Sequence, residues 1–336
     1  MRKLRESSGR LEIVTTVMMV VLAASLARGV YAQGTADTYP TKPVRIVVPL
    51  AAGGGTDITA RMIAARLSIA MNRQFIVENR LGAAGTVAFG SIAKSPADGY
   101  TLLVTGSGFA TTAALYTKLA YDPIKDFSPI TLINRSPYLL VVHPSLPVKT
   151  PRELVALAKA RPGVINFGSS GYGSGVHFAE ELFRIMAGVN LMHVPYKGAG
   201  EAEIDLIAGR IEMMMGGILS ALPHVKNGRL RLLAVSTAQR SPILPNIPSV
   251  AESGVPGYEA VSWGGMLGPA GMQPEVISKI QQSVATIMKE PEVAKKTLDD
   301  GAEPVGNRPD EFRQFIAADI ARNRKVARDA GLKVDN

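Results

Sequence analysis

The chain contains no cysteine among its 336 residues. This absence excludes disulfide bonds, thiolate metal sites, cysteine nucleophiles and lipoproteins, whose lipid anchor requires a cysteine. Aromatic residues are also scarce, at 6% of the chain with a single tryptophan. A nucleic-acid-binding surface concentrates basic residues among aromatic ones, whereas the lysines and arginines here are scattered along the sequence. We therefore expect no nucleic-acid partner.

Motifs that mark common enzymes and cofactor sites are absent too. The sequence has no G-x-S-x-G nucleophile elbow, no Walker A sequence and no G-x-G-x-x-G nucleotide loop. Its four histidines are dispersed and follow no metal-ligand spacing such as H-E-x-x-H. The sequence therefore predicts a protein that is not an enzyme and that uses neither a metal nor a cofactor.

The first 32 residues have the composition of a secretory signal peptide. Basic residues in Met1–Arg10 precede an apolar run at Ile13–Ala27, and Val30-Tyr31-Ala32 offers small residues at the cleavage positions. The apolar run of about 15 residues is shorter than the roughly 20 that a membrane-spanning helix needs. No later stretch of the sequence is apolar enough to span a membrane. We expect export to the periplasm with cleavage after Ala32.

After residue 39 the hydrophobic pattern alternates between strands and helices. Val44–Val48 is an apolar, partly β-branched run that is typical of a buried parallel strand. Apolar residues between Ile58 and Met71 recur at intervals of three and four, which predicts a helix with one buried face. Phe75–Val77 and Tyr100–Val104 continue the alternation as strands. This order predicts an α/β fold with a mostly parallel sheet flanked by helices.

Three glycine-rich loops follow predicted strands, and the loops at Ala51 and Ser169 also precede predicted helices. We refer to Ala51–Thr56 as the first loop, to Thr105–Gly108 as the second loop and to Ser169–Ser174 as the third loop. Such a loop directs unpaired backbone N–H groups and the positive end of a helix dipole at one point, which favours an anion. None of the loops contains arginine. The sequence therefore predicts recognition by backbone N–H groups and serine hydroxyls.

A second α/β unit begins after a less regular stretch. Asp122-Pro123 and Ser128-Pro129 indicate turns, and Tyr138–His143 is apolar enough for a strand that enters the second unit. Thr150-Pro151-Arg152-Glu153 is a capping box with proline at the first helical position, so it predicts the start of a helix.

From Pro274 onward the pattern is helical, and we expect these helices to pack back on the first unit. The layout predicts a two-domain periplasmic binding protein of type II-like fold, with the ligand cleft between the domains. The predicted domain boundaries are 33–137 with 260–336 for domain I, and 138–259 for domain II.

Five motifs follow one another along the sequence after the leader. They are PLAAGGGTDITAR at Pro49–Arg61, DGYTLLV ending at Val104, NFGSSGYGSGVHFAEE, HVPYKGAG and RLLAVSTAQRSPILPNIPSVAESGVPG. In order and spacing they resemble the solute-binding proteins of tripartite tricarboxylate transporters, also called Bug-type receptors. The resemblance implies a monomeric periplasmic receptor that closes on an organic carboxylate and delivers it to the permease subunits of a membrane transporter.

The resemblance also implies which residues bind the carboxylate, since in that family the ligand lies against the first loop and the third loop. The implied ligand-binding residues are Ala51, Ala52, Gly54, Thr56, Gly106, Ser107, Ser169, Ser170, Gly171, Gly173 and Ser174. The sequence departs from many relatives at Leu50 and near Met215, where they carry aromatic residues. The pocket is therefore expected to differ in shape from the pockets of those relatives.

Tyr196 and Lys197 complete the predicted site. Lys197 either neutralises a second carboxylate of the ligand or extends into solvent, and Tyr196 shapes the far end of the cleft. Asp57 is expected to support the helix start, because its carboxylate would repel an anionic ligand.

Two alternative functions use residues in or near these loops. An exported serine hydrolase would pair Ser169 or Ser174 with His177, although no acidic partner for the histidine is evident. A receptor of another transporter class would hold a carboxylate in a bidentate arginine clamp, for which Arg135 is the candidate.

Overall fold

A computed structural model describes residues 38–334 of the chain. The predicted signal peptide, residues 1–32, lies outside the described residues. Lys42 begins a compact unit that contains every strand and helix discussed below. Within residues 38–334, no helix is both long enough and apolar enough to cross a membrane.

The strands of this unit form two parallel groups joined by antiparallel strands. The strands are β1 (Val44–Val48), β2 (Phe75–Asn79), β3 (Thr101–Gly106), β4 (Phe127–Val142), β5 (Asn166–Ser169), β6 (Met192–Pro195), β7 (Met213–Gly217), β8 (Arg231–Val235), β9 (Val261–Pro269) and β10 (Glu303–Pro304). In one group β1 lies between β2 and β3, and in the other β5 lies between β6 and β7. Strands β4 and β9 pair with each other between the two groups.

Helices connect the strands and pack against them. They are α1 (Gly55–Ala70), α2 (Thr86–Ala93), α3 (Gly108–Leu115), α4 (Pro151–Ala160), α5 (Gly175–Ala187), α6 (Ala199–Ile207), α7 (Ile218–Lys226), α8 (Val250–Ser253), α9 (Pro274–Lys289), α10 (Pro291–Asp299) and α11 (Pro309–Ala330). The predicted α/β fold is confirmed, with parallel pairing inside each group and antiparallel pairing in the strands that join them.

The long strand β4 runs between the two groups. It pairs with β9 along Phe127–Pro137 and with β7 and β8 along Tyr138–Val142. The turn predicted at Ser128-Pro129 is wrong, because both residues lie inside β4. The pairing with β9 shifts register between Pro129 and Thr131, and such a bulge accommodates a proline that cannot donate a ladder hydrogen bond.

The predicted cap of α4 is present in part. Thr150 Oγ1 accepts a hydrogen bond from the Glu153 N–H at 3.2 Å, and Pro151 occupies the first turn. The Glu153 carboxylate accepts from the Lys149 N–H at 2.6 Å instead of from the Thr150 N–H, so the reciprocal bond of a capping box is displaced by one residue.

Each parallel group has its own hydrophobic core. One core contains edge-to-face ring pairs, with centroids 5.0 Å apart for Phe89 and Phe109 and 5.8 Å apart for Trp263 and Phe312. The other core runs from Tyr138 to Tyr258 along the chain. Phe312 belongs to α11, so this helix packs back on the first unit as predicted. The predicted domain boundaries stay a prediction.

Replacing Phe312 with alanine tests the packing of α11. The Phe312 ring is fully buried, so we expect Phe312→Ala to lower the free energy of unfolding by about 3–5 kcal/mol. Ile69→Ala on α1 is the control, since Ile69 is 77% exposed and its truncation should change stability by less than about 0.5 kcal/mol. Urea unfolding followed by circular dichroism measures both, and equal midpoints would contradict this packing.

Candidate functional site

The three glycine-rich loops lie next to one another. A Cβ atom at Gly106 would stand 2.6 Å from the carbonyl oxygen of Trp263 and 3.6 Å from Thr56 Oγ1. A Cβ atom at Gly175 would stand 2.8 Å from Ser107 Oγ. Glycine at these two positions therefore allows the second loop to approach the β9 backbone and the start of α5, and Thr56 of the first loop lies within ordinary contact distance of the second loop.

Tyr138 of β4 fixes the second loop at this junction. Its hydroxyl hydrogen-bonds with Ser107 of the second loop and with Ser262 of β9. Burial raises the pKa of Tyr138, so the side chain stays protonated and neutral. The Ser107 hydroxyl is thereby tied to the strand that joins the two parallel groups.

A buried carboxylate holds the first loop in place. Asp57 accepts hydrogen bonds from the Gly53 N–H at 2.9 Å, from Arg61 Nε at 2.9 Å and from Asn79 Nδ2 at 2.8 Å. Asn79 Nδ2 also donates to the carbonyl oxygen of Leu50 at 2.9 Å. The hydrogen bond from Arg61, followed by that from Gly53, holds the pKa of Asp57 well below its usual range. Asp57 supports the loop, as the sequence predicts.

The predicted residues of the first loop differ in exposure. Ala51, Ala52 and Gly54 are exposed, whereas Thr56 in the first turn of α1 is half-buried. The Gly53 N–H is bonded to Asp57, and the Gly54 N–H points to the Ala51 carbonyl oxygen at 3.5 Å.

The third loop is held by hydrogen bonds of its own. Ser169 is fully buried, and its Oγ lies 2.7 Å from His193 Nε2 while accepting from the Gly171 N–H at 3.2 Å. The Gly173 N–H donates to His177 Nδ1 at 3.1 Å. Ser174 caps α5, since its Oγ accepts from the His177 N–H at 3.2 Å.

Two histidines beneath the third loop are neutral. Burial, with smaller contributions from His193 and Arg184, lowers the pKa of His177 to about 3. Burial lowers the pKa of His193 to about 4. The folded state therefore disfavours the protonated form of both rings. The stability that the neutral rings contribute is lost as the pH falls below about 6.5, the pKa of histidine in the unfolded chain.

Tyr196 and Lys197 follow β6 on the other side of the third loop. The Tyr196 N–H donates to the Ser169 carbonyl oxygen at 3.1 Å, and the Tyr196 hydroxyl donates to Asp205 Oδ2 at 2.9 Å. Lys197 is exposed, and its N–H donates to Glu201 Oε2 at 3.2 Å. Tyr196 is thus anchored to the third loop, and Lys197 extends into solvent in this conformation.

A cavity of about 420 Å³ opens at the start of α1. Of the predicted residues, Thr56 lines it, next to Gly55. The cavity also has an apolar wall made of Ile58, Met62 and Leu219. Leu219 belongs to α7 and the other two to α1, so the cavity lies between the two parallel groups of strands.

The prediction from sequence missed the polar residues that line this cavity. They are Asn134, Ser136, Ser262, Lys296 and Asp300. Asn134 and Ser136 lie in β4 and Ser262 in β9, so polar side chains inside otherwise apolar strands were the available signal. Lys296 and Asp300 form an exposed ion pair at 3.0 Å.

Neither alternative function is supported by this arrangement. The His177 ring is buried, and its Nδ1 accepts from Gly173 rather than from a serine hydroxyl. His177 therefore forms no relay with Ser174 or Ser169, and Ser169 Oγ, which lies 2.7 Å from His193, is itself fully buried. Arg135 Nε donates to Glu303 Oε2 at 3.0 Å, which engages its guanidinium in an ion pair. Among residues 38–334, no group of three or more acidic or histidine side chains is arranged to hold a metal ion.

The fold and the loops define a class of protein. Two parallel groups of strands, joined by crossing strands and faced by glycine-rich helix starts, make this chain a solute-binding protein of the periplasmic binding protein class. The chain belongs to the tripartite tricarboxylate transporter receptor family, whose model matches residues 59–332. This membership confirms the resemblance found in the sequence and the expectation of a receptor rather than an enzyme.

Relatives match nearly the whole chain. Protein BugT of Bordetella pertussis is 34% identical over 323 residues, which cover 96% of this chain and 99% of the relative. The structure of Rpa4515 from R. palustris with adipate is 39% identical and covers 89% of this chain and 100% of its own, with a TM-score of 0.76. MatC from Rhodopseudomonas palustris with bound malate is 30% identical and covers 86% of this chain and 99% of its own, with a TM-score of 0.71.

Replacing Asp57 with asparagine tests the support of the first loop. We expect Asp57→Asn to cost about 1.5 kcal/mol of stability at pH 7, the lower end for hydrogen bonds to charged groups, because Arg61 keeps about half of its surface in water. The pKa of Asp57 is lower in the folded state, so its contribution is present above about pH 4 and is lost as the pH falls below that value.

The control for Asp57→Asn is Asp299→Asn, which removes an exposed ion pair with Lys295 at the same four-residue spacing. We expect its effect to stay below about 0.5 kcal/mol. Unfolding by urea at pH 7 and pH 3 measures both variants. A loss at Asp57 that matched the control, or that did not shrink at pH 3, would contradict the proposed support.

Proposed function

We propose that this protein is a periplasmic receptor that captures an organic carboxylate at the three glycine-rich loops. The observation that carries the proposal is how close the loops lie: a Cβ atom at Gly106 would stand 3.6 Å from Thr56 Oγ1, and one at Gly175 would stand 2.8 Å from Ser107 Oγ. This closeness supports a common site for three helix starts. Each helix start offers unpaired N–H groups and a partial positive charge. Together they stabilise a carboxylate without an arginine.

The hydrogen bonds within the loops limit which N–H groups serve the ligand. Those of Gly171, Gly173 and Ser174 are bonded to Ser169, His177 and the Gly171 carbonyl oxygen. We therefore assign the carboxylate to the N–H groups of Thr56 in the first loop and of Ser170 and Gly175 around the third loop. Gly171, Gly173 and the Ser169 hydroxyl then shape the loop without contacting the ligand.

The cavity beside Thr56 supports a small ligand with an apolar body. Its volume of about 420 Å³ is ample for a small organic carboxylate. Ile58, Met62 and Leu219 offer it an apolar wall. The adipate and malate of the two solved relatives are small dicarboxylates. We propose a dicarboxylate as the ligand of this chain.

Capture is proposed to proceed by hinge closure. A ligand that contacts loops from both parallel groups favours the closed conformation by its differential affinity for that conformation. Strands β4 and β9 join the groups, so bending there would move the first and third loops together. We propose that a monomer in the periplasm, exported by residues 1–32, presents the ligand to the permease subunits of a tripartite transporter.

Calorimetric titration of residues 33–336 with adipate and with malate tests the ligand class. We expect at least one dicarboxylate to bind, because two or more loops offer N–H groups to its carboxylate. Adipamide is the matched control, since it keeps the chain length and replaces both carboxylates with neutral amides. Binding of adipamide as tight as that of adipate, or no binding by either dicarboxylate, would contradict this proposal.

Replacing Thr56 with valine locates the site. We propose that the Thr56 hydroxyl donates to the same carboxylate as the Thr56 N–H. Valine keeps the shape of threonine and removes only this hydroxyl, so we expect about fivefold weaker binding of the dicarboxylate, equivalent to about 1 kcal/mol. Thr117→Val is the control, because Thr117 is exposed and lies away from the cavity beside Thr56. Unchanged affinity in Thr56→Val would exclude a contact between this hydroxyl and the ligand.

A further inference from the structure

Four aromatic rings form a column beneath the third loop. The ring centroids of Phe167 and His193 are 5.0 Å apart, those of His193 and His177 are 3.9 Å apart, and those of His177 and Tyr172 are 5.2 Å apart. The register of β5 and β6 places Phe167 opposite His193, while His177 lies in the first turn of α5. The column therefore links two strands, a helix and the tip of the third loop.

Each histidine of the column is hydrogen-bonded to the third loop. His177 Nδ1 accepts from the Gly173 N–H at 3.1 Å, near the end of the loop. His193 Nε2 lies 2.7 Å from Ser169 Oγ, which also accepts from the Gly171 N–H. The imidazoles thus hold the loop at both ends.

The contact with Gly173 requires an unprotonated Nδ1 on His177. A proton there would place two donors against each other, and it would add a cation next to the stacked ring of His193. The other ring nitrogen, Nε2, lies 3.8 Å from Glu181 Oε1, and Glu181 is itself paired with Arg184 at 2.7 Å. Tyr172 covers the outer face of the His177 ring. These surroundings leave Nδ1 of His177 available to accept the hydrogen bond from the Gly173 N–H.

We propose that His177 and His193 are positioning residues of the carboxylate site. Their ring nitrogens hold the third loop in the conformation in which Gly171 and Gly173 are bonded internally, and in which the N–H groups of Ser170 and Gly175 remain for the ligand. The inference rests on the proposed function. It assigns a role to two histidines that do not touch the ligand and that lie 16 residues apart in the sequence.

Two substitutions of His177 distinguish the contribution of ring packing from that of the hydrogen bond to Gly173. His177→Phe keeps an aromatic ring in the column and removes the acceptor. His177→Asn removes the ring and returns an acceptor, because its Oδ1 can occupy the place of Nδ1. The variants His193→Phe and His193→Gln allow the same comparison at His193. Phenylalanine keeps the ring only, whereas the glutamine amide replaces Nε2 as the partner of Ser169.

Two readouts are followed in the mature chain. The first, without ligand, is the hydrogen exchange of the Gly173 amide in a ¹⁵N-labelled sample. We expect its protection to be lost in His177→Phe and retained in His177→Asn. The second is the calorimetric affinity for adipate or malate, whichever the wild type binds. We expect it to fall about tenfold in His177→Phe and to recover to within about threefold of wild type in His177→Asn.

Two outcomes would overturn the inference. One is a Gly173 amide that stays protected in His177→Phe, and the other is an equal loss of affinity in the phenylalanine and asparagine variants, which would indicate ring packing alone. If the wild type binds neither dicarboxylate, the proposed function fails, while amide protection still decides whether the histidines hold the loop.

If the variants do not fold, a measurement on the wild-type protein still tests the inference. The ¹⁵N chemical shift of His177 Nδ1 at pH 7 should be that of an unprotonated nitrogen, with a scalar coupling to the Gly173 amide nitrogen across the hydrogen bond. A protonated Nδ1 would contradict the inference.

Discussion

The close approach of backbone to neighbouring atoms at Gly106 and Gly175 is the constraint on which the carboxylate site depends. A Cβ atom at Gly106 would stand 2.6 Å from a backbone oxygen, and one at Gly175 would stand 2.8 Å from Ser107 Oγ. A larger residue would press on β9 at Gly106 and on Tyr138 and Ser107 at Gly175, and would displace the second loop from these neighbours. Since each helix start carries only about half of a positive charge, an anion is held well only where several of them meet.

The loops that meet at these glycines are held by groups of fixed charge. Asp57 is anionic next to the first loop, Tyr138 is neutral beside the second, and His177 is neutral beneath the third. Because none of these groups changes its charge near neutral pH, the loop conformations are set before a ligand arrives. Such preorganisation lowers the ordering cost of binding. It also explains how loops rich in glycine can hold a defined arrangement of donors.

Much of the fold could be predicted from local pattern. The apolar run of β1, the helix starts after the glycine-rich loops and the Thr150 cap each depend on residues close together in sequence. The course of β4 could not be predicted, because Ser128-Pro129 has the local character of a turn. Only pairing with β9, more than a hundred residues away, provides the bulge that accommodates the proline.

The candidate site likewise combines features that local sequence predicts with features that depend on strand pairing between distant residues. The three loops were identified from their glycines, but the polar wall of Asn134, Ser136 and Ser262 depends on how β4 and β9 cross. No local spacing in the sequence pairs His177 with the histidine that stacks on it. Its neighbour His193 is brought to it by the pairing of β5 with β6, which local sequence does not specify.

A crystal structure of the mature protein with a bound dicarboxylate is the most direct test of the central claim. The account predicts one carboxylate with its oxygens about 2.7–3.2 Å from the N–H groups of Thr56, Ser170 and Gly175. It also predicts that His177 and Ser169 keep their bonds within the third loop. A carboxylate held by the Arg135 guanidinium, or one that touches only a single loop, would contradict it.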